Sequence, residues 1–184
     1  IEVNLGEKAK IKKISFIGNK VIKDKKLLEI IASEEHKFWK FVSNKVYLNE
    51  TLINLDRRLL ENYYKNRGFY DVEINSSFAK LISDDEFELT FNIDAKNKFY
   101  FNELNLDVPD DFDEFNYSEL QKIFQETKGK TYSLNVVEKI LNKIDLISIN
   151  EQYQTIKASV IEDIISDQIN LNFKIDKVDT FFVD

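Results

Sequence analysis

The chain has 184 residues, of which 43% are hydrophobic and 13% aromatic, and its formal net charge is −7. That composition is enough to build a core and excludes a disordered chain. The interleaving of Lys with Asp and Glu excludes a general binder of phosphate backbones, and the absence of cysteine removes disulfides, thiolate metal sites and cysteine nucleophiles.

No stretch approaches the ~20 apolar residues of a membrane-spanning helix. Ile1 leads straight into structured-looking sequence with neither initiator methionine nor signal peptide, so we expect a segment of a longer protein. Residues 11–17 (IKKISFI) alternate as a strand, with Ile14 and Phe16 on one face and Gly18-Asn19 ending it. Leu27, Leu28, Ile30 and Ile31 then recur at helical spacing over Lys23 to Ser33, with Asp24 as the expected N-cap. After the polar, aromatic stretch EEHKFWKFVSNK, Asn49 is placed to cap a second helix reaching about Asn66. In that helix Leu52, Leu55, Leu59 and Tyr63 form one apolar stripe.

Lys65 and Arg67 then suit a helix C-terminus, and Gly68 supplies the left-handed residue that stops it. Strand alternation starts at once. Val72, Ile74 and Phe78 are expected on one face, and Asp71, Glu73 and Asn75 on the other. SDDE turns the chain into Phe87, Leu89, Phe91 and Ile93. The order is β-α-α-β-β.

The chain then repeats itself. IEVNLGEKAKI, FNIDAKNKFYF and FKIDKVDTFFV share one pattern, with Asn4, Asp94 and Asp176 spaced 90 (94 − 4) and 82 (176 − 94) residues apart. Such periods suit small domains in tandem. In the second repeat FYFNELNLDV reads as the first strand, SELQ (Ser118 to Gln121) as a capping box with Leu120, Ile123 and Phe124 behind it, and Gly129 as the helix stop. YSLNVVEKILNKIDLI is the second helix, and YQTIKASVIED with QINLNFKID the closing hairpin. No glycine stands near Gln152-Tyr153, where Gly68 would align. The boundaries expected are 1–9 for the end of a preceding domain, 10–95 and 96–178 for two whole units, and 179–184 for the start of another. The short connector DAKNKFY, free of Pro and of Gly-Ser runs, reads as a restricted hinge.

Repeated β-α-α-β-β units, with ISFIGNKVIKDKKL at the start and YYKNRGFYDVEI before the hairpin, resemble POTRA domains. HKFWKFVSN followed by YLNETLINLDRRLLENYYKNRGFYDVEI is most similar to the third POTRA unit of the BamA family of outer-membrane protein assembly factors, and the next unit to the fourth. The resemblance implies an α+β fold of two tandem POTRA domains, each a three-stranded mixed sheet covered on one face by two helices. It implies a periplasmic location in a Gram-negative outer-membrane protein with its own C-terminal barrel and neighbouring POTRA domains. It further implies, as partners, unfolded outer-membrane β-barrel proteins and accessory lipoproteins such as BamB, with no nucleic acid, no cofactor and no catalysis. The fragment itself is expected to be monomeric and soluble. A TamA-like or two-partner secretion transporter is the alternative branch.

In such a sheet the first strand pairs with the last, leaving the first and middle strands as edges whose N–H and C=O groups an extended peptide can take. The candidate docking strands are Asp71, Val72, Glu73, Ile74, Asn75, Ser76 and Ser77, continuing to Ala79, and Tyr153, Gln154, Thr155, Ile156, Lys157 and Ala158, continuing to Ile161. Phe38, Trp39 and Phe41 are either core filler or a docking loop. Gly18, Asn19, Gly68 and Gly129 are structural. His36 is the only histidine, which speaks against zinc, and DVPDDFDEF lacks a calcium-loop pattern and reads as a solvated acidic connector. The sequence holds no phosphate loop, nucleophile elbow or histidine-bearing triad, which leaves a carboxylate hydrolase as the remote enzymatic alternative.

Overall fold

The structure, a computed structural model, describes residues 9–37, 44–80, 86–110, 112–150 and 156–177. The chain divides into two compact units. The first comprises Ile1–Lys65 with Asp71–Lys96, and the second Asn66–Tyr70 with Asn97–Asp184. Of the expected end stubs 1–9 and 179–184, all but residue 9 lie outside the described residues.

The first unit runs β1 (Lys10–Asn19), α1 (Asp24–Leu28), α2 (Glu50–Lys65), β2 (Glu73–Lys80) and β3 (Glu86–Asp94), with a 3-10 turn at Asn44–Val46. β3 is central: β1 pairs with it in parallel and β2 antiparallel. A parallel pair needs a long crossover, which both helices and β2 supply. Alternation on the strands sends Ile14, Phe16, Leu89, Phe91 and Ile93 to the helix-covered face. Phe16 and Phe91 stack there with centroids 5.7 Å apart.

Three local expectations are corrected here. α1 spans only Asp24–Leu28 and is entered at Lys23 without a side-chain cap, so Asp24 lies in the first turn and is not the N-cap. In α2 the buried residues are Ile53, Asp56, Leu60 and Tyr64, one position beyond the expected Leu52–Tyr63 stripe. The polar Asp56 interrupts the true stripe in the sequence, which makes its neighbour look more continuous. Asn49 does cap α2, its Oδ1 accepting from Leu52 N–H at 3.1 Å.

Tyr64 is wholly buried, and that burial pushes its phenol up to about 12 against a backbone hydrogen bond with Ile22 that lowers it. Its folded pKa therefore exceeds the unfolded value near 10. The stabilisation is complete below pH 10 and is lost as pH rises toward about 12, by roughly 1.4 kcal/mol per pH unit. Urea unfolding of the first unit at pH 9 and pH 11.5 should show this fall, and Tyr64→Phe should reduce it. Equal falls in both proteins would show that Tyr64 is not the group responsible.

The second unit runs β4 (Tyr100–Asp107), a 3-10 turn (Glu114–Tyr117), α3 (Ser118–Thr127), α4 (Leu134–Asn150), β5 (Ile156–Ile165) and β6 (Gln168–Lys177). Its sheet order is β4-β6-β5, with β4 parallel and β5 antiparallel to β6. Phe124 of α3 stacks on the fully buried Phe173 at 5.6 Å. The SELQ capping box is not formed. The chain enters α3 through the 3-10 turn, which Asp113 caps by accepting from Phe115 N–H at 2.9 Å, so Ser118 is already helical. Nor is DVPDDFDEF only a solvated connector, because Phe112 is buried in the core of this unit.

The GFY stretch of the sequence belongs to the second unit as well. Asn66 Oδ1 accepts from Asn135 N–H at 2.7 Å and from Ser133 Oγ at 3.0 Å, supplying an acceptor to the first turn of α4. Gly68 O accepts from Phe99 N–H at 2.8 Å. The Tyr70 ring packs edge-on against Tyr132 with centroids 5.1 Å apart.

Candidate functional site

Each sheet is a central strand flanked by two edges, and the backbone groups that could bind an extended guest are the unpaired N–H and C=O groups of those edges. Four groups on the outer side of β1 and of the residue before it are taken. Ala9 O accepts from Leu48 N–H (2.8 Å), Ile11 O from His36 N–H (2.7 Å) and Phe16 O from Lys20 Nζ (2.6 Å), while Ile14 N–H donates to Glu35 Oε1 (3.1 Å). β4 is closed at its start, where Phe101 N–H donates to Lys130 O (2.9 Å) and Phe101 O accepts from Gly129 N–H (2.7 Å). β1 and the start of β4 are therefore poor docking edges.

β2 and β5 differ. An antiparallel strand turns both backbone groups of alternate residues to the same side. In β2 the outward carbonyl is identified by Arg57, whose Nε donates to Ile74 O at 3.1 Å. Ile74, Ser76, Phe78 and Lys80 accordingly face outward, and from Ser76 on their backbone groups meet no other described element. A groove beside Ser76 is lined by Leu48, Asn49, Glu50, Ile53 and Asn54. In β5 the outward amide is that of Ala158, which donates to Asp145 Oδ1 at 2.8 Å. The outward series there is Ala158, Val160, Glu162 and Ile164, and from Val160 on their outward backbone groups meet no other described element.

The two edges carry different side chains. β2 reads Glu73, Ile74, Asn75, Ser76, Ser77 before its last three residues, and Glu73 is engaged by Lys96 Nζ at 3.3 Å. Asp94 first, and Glu73 after it, hold the Lys96 ammonium above its ordinary pKa. β5 instead exposes Ile161, Ile164 and Ile165, each more than two-fifths accessible. On its helix-facing side Glu162 accepts hydrogen bonds from the Tyr70 hydroxyl and, at 3.3 Å, from Tyr132. Burial, then the Glu162 charge, raises the Tyr132 phenol pKa far above its usual value.

Of the residues proposed from the sequence, Glu73–Ser77 and Ile156–Ala158 lie on these edges. Asp71 and Val72 precede β2, whereas Tyr153, Gln154 and Thr155, like Phe38, Trp39 and Phe41, fall outside the described residues. β5 extends to Ile165, so its exposed isoleucines lie mostly beyond the expected segment. Sequence reading missed Arg57 and Asp145, which lie 17 and 13 positions from the backbone groups they bind. Gly18, Gly68 and Gly129 all take positive φ.

Residues 9–96 match the family model described as POTRA, surface antigen variable number repeat. The outer membrane protein assembly factor BamA of Neisseria meningitidis serogroup B is 26% identical over 144 residues, 78% of this chain and 18% of that protein. BamA of Buchnera aphidicola subsp. Acyrthosiphon pisum is 25% identical over 100% of this chain and 30% of its own length. The chain thus spans less than a third of these curated relatives. In fold, the crystal structure of Haemophilus influenzae BamA POTRA3-5 superposes with a TM-score of 0.68 at 14% identity, covering 92% of this chain and 61% of that one.

Proposed function

We propose, from a chain that carries the tandem POTRA fold of BamA-type proteins, that it is the periplasmic scaffold segment of an outer-membrane protein assembly factor. Its work is to receive unfolded outer-membrane β-barrel proteins by strand addition to β2 and β5. The observation that carries this reading is the asymmetry of the edges. On the outer side of β1, Ala9 O, Ile11 O, Ile14 N–H and Phe16 O are already bonded to loop and side-chain groups, whereas β2 from Ser76 and β5 from Val160 offer alternate N–H and C=O pairs that meet no other described element.

Main-chain hydrogen bonds do not depend on the guest's side chains, which suits a receptor for many sequences. Ordering an extended guest offsets much of the contact energy, so each edge binds weakly, at roughly µM to mM. Weak sites in series permit hand-over from one unit to the next. Accessory lipoproteins use the remaining surfaces, with Phe38, Trp39 and Phe41 as the proposed dock. The curated relatives described above are BamA proteins, which favours this branch over a TamA-like or two-partner secretion transporter.

The test is a titration of the isotopically labelled chain with a synthetic barrel-strand peptide, followed at every backbone amide by NMR. Saturating shifts concentrated on β2 or β5 support the reading. Amides of both strands that stay still at millimolar peptide would remove it.

A further inference from the structure

The two units place a helix side chain on the same position of their open edges. The buried residues Ile53, Leu60 and Tyr64 of α2 correspond to Val137, Ile144 and Ser148 of α4, each 84 positions later (137 − 53), and Ile74 corresponds to Ala158 at the same interval (158 − 74). At that shared position Arg57 takes the Ile74 carbonyl, and Asp145 takes the Ala158 amide. The chemistry is opposite, a guanidinium donor in one unit and a carboxylate acceptor in the other. The occupied place is the same.

We infer that Arg57 and Asp145 are edge plugs that set where a guest strand can pair, confining it to Ser76–Lys80 on β2 and Val160–Ile165 on β5. This rests on the strand-addition reading given above. A guest backbone would lie about 4.8 Å from the edge strand, in the space where the plug's polar atoms already sit. To pair at Ile74 or Ala158 the guest must expel a charged side chain from its hydrogen bond. Beyond the plug nothing described competes. The guest's first pair is thereby fixed, and with it the face on which each of its side chains falls, because a slip of one residue inverts every side chain.

The consequence differs between the units. On β5 the confined segment carries Ile161 and Ile165 on the open face of the sheet and Ile164 toward the helix side. The guest favoured there is an extended segment with apolar residues at alternate positions, the pattern of a barrel strand. On β2 Ser76 and Ser77 open the confined segment, and selection by side chain is weaker.

Asp145→Ala, Asp145→Asn and Arg57→Ala, each in the complete 184-residue chain, test this. Without peptide, exchange of the Ala158 amide should quicken about tenfold in Asp145→Ala, by loss of its one acceptor, and stay near wild type in Asp145→Asn, which keeps an oxygen there. With the barrel-strand peptide, the wild-type footprint should begin at Val160 and at Ser76. In Asp145→Ala it should extend to Ala158, with affinity for β5 about threefold or more tighter. Arg57→Ala should do the same at Ile74 in the other unit, an independent check if Asp145→Ala unfolds.

A wild-type footprint that already includes Ile74 or Ala158, or variants that lose stability while footprint and affinity stay unchanged, would make the two residues structural ties only and overturn the inference. Those results leave strand addition itself standing. Peptide that shifts neither edge in any variant overturns strand addition, and the plugs with it.

Discussion

Gly18→Ala should destabilise the first unit by about 3 kcal/mol or more, from left-handed backbone strain and a displaced sheet pairing together. Gly18 has φ +90°, and a Cβ there would lie 2.5 Å from both Asn92 Oδ1 and Ile93 O. The Asn92 side chain can swing away. The Ile93 carbonyl cannot, because it belongs to the central strand β3, where Ile93 is registered with Gly18 on one side and Ile74 on the other. Gly129→Ala is the matched control: φ is +77°, yet nothing lies within 4 Å of the added carbon, so only the backbone strain of about 1–2 kcal/mol remains. Urea unfolding followed by amide signals of each unit separates the two. Similar losses in both variants would mean that the close approach to Ile93 contributes nothing.

The β-α-α-β-β order of both units was legible because strand alternation, helical spacing and positive-φ glycines are local signals. Val72 and Ile74 are buried and Glu73 and Asn75 exposed, as alternation requires. What was not legible depends on partners distant in sequence. Asp56 looks like a break in an apolar stripe until its own acceptor role is seen. Ser118 looks like an N-cap until the preceding 3-10 turn is seen to continue into it. The stretch from Asn66 to Tyr70 looks like the end of one repeat, but its hydrogen bonds go to Phe99, Ser133, Asn135 and Glu162 of the next. The edges could be located from the sequence, though which of their backbone groups are taken could not. That follows from His36, Glu35 and Leu48 covering β1, and from Arg57 and Asp145 each taking one group of β2 and β5.

Exposed edges are a liability as well as a function, because a free strand of one copy can pair with that of another. The units treat this differently. β2 sets Glu73, held by Lys96, and two serines along its outer stretch. β5 sets Lys157, Glu162 and Asp163 among its isoleucines, and such charges oppose pairing of two like strands while leaving a guest strand free to bring complementary ones. A plug at the start of each edge also shortens the length available for self-pairing. Keeping an edge open to guests and closed to its own kind thus draws on the same few side chains.

Asp56→Ala should cost the first unit about 3 kcal/mol, and the reason lies in a difference between the repeats. Asp56 is fully buried, and its Oδ1 accepts from Ala32 N–H at 2.6 Å and Ser33 N–H at 3.1 Å. The corresponding position of the second unit, 84 residues on, is the buried Ile140. There α3 runs ten residues and satisfies its backbone within the helix, so an apolar neighbour serves. In the first unit α1 stops after five residues, leaving the amides of the following segment to find acceptors while packed against α2. Alanine orphans both amides, whereas Asp56→Asn retains an oxygen and should cost about 1 kcal/mol. Asp56→Ile, which copies the second unit, should cost at least as much as alanine, since apolar volume cannot replace the acceptor. Unfolding free energies in that order, with amide exchange at Ala32 and Ser33 accelerated only in the alanine and isoleucine variants, are the expected result. An isoleucine variant as stable as wild type would show that packing, rather than the carboxylate, holds the segment after α1 in place.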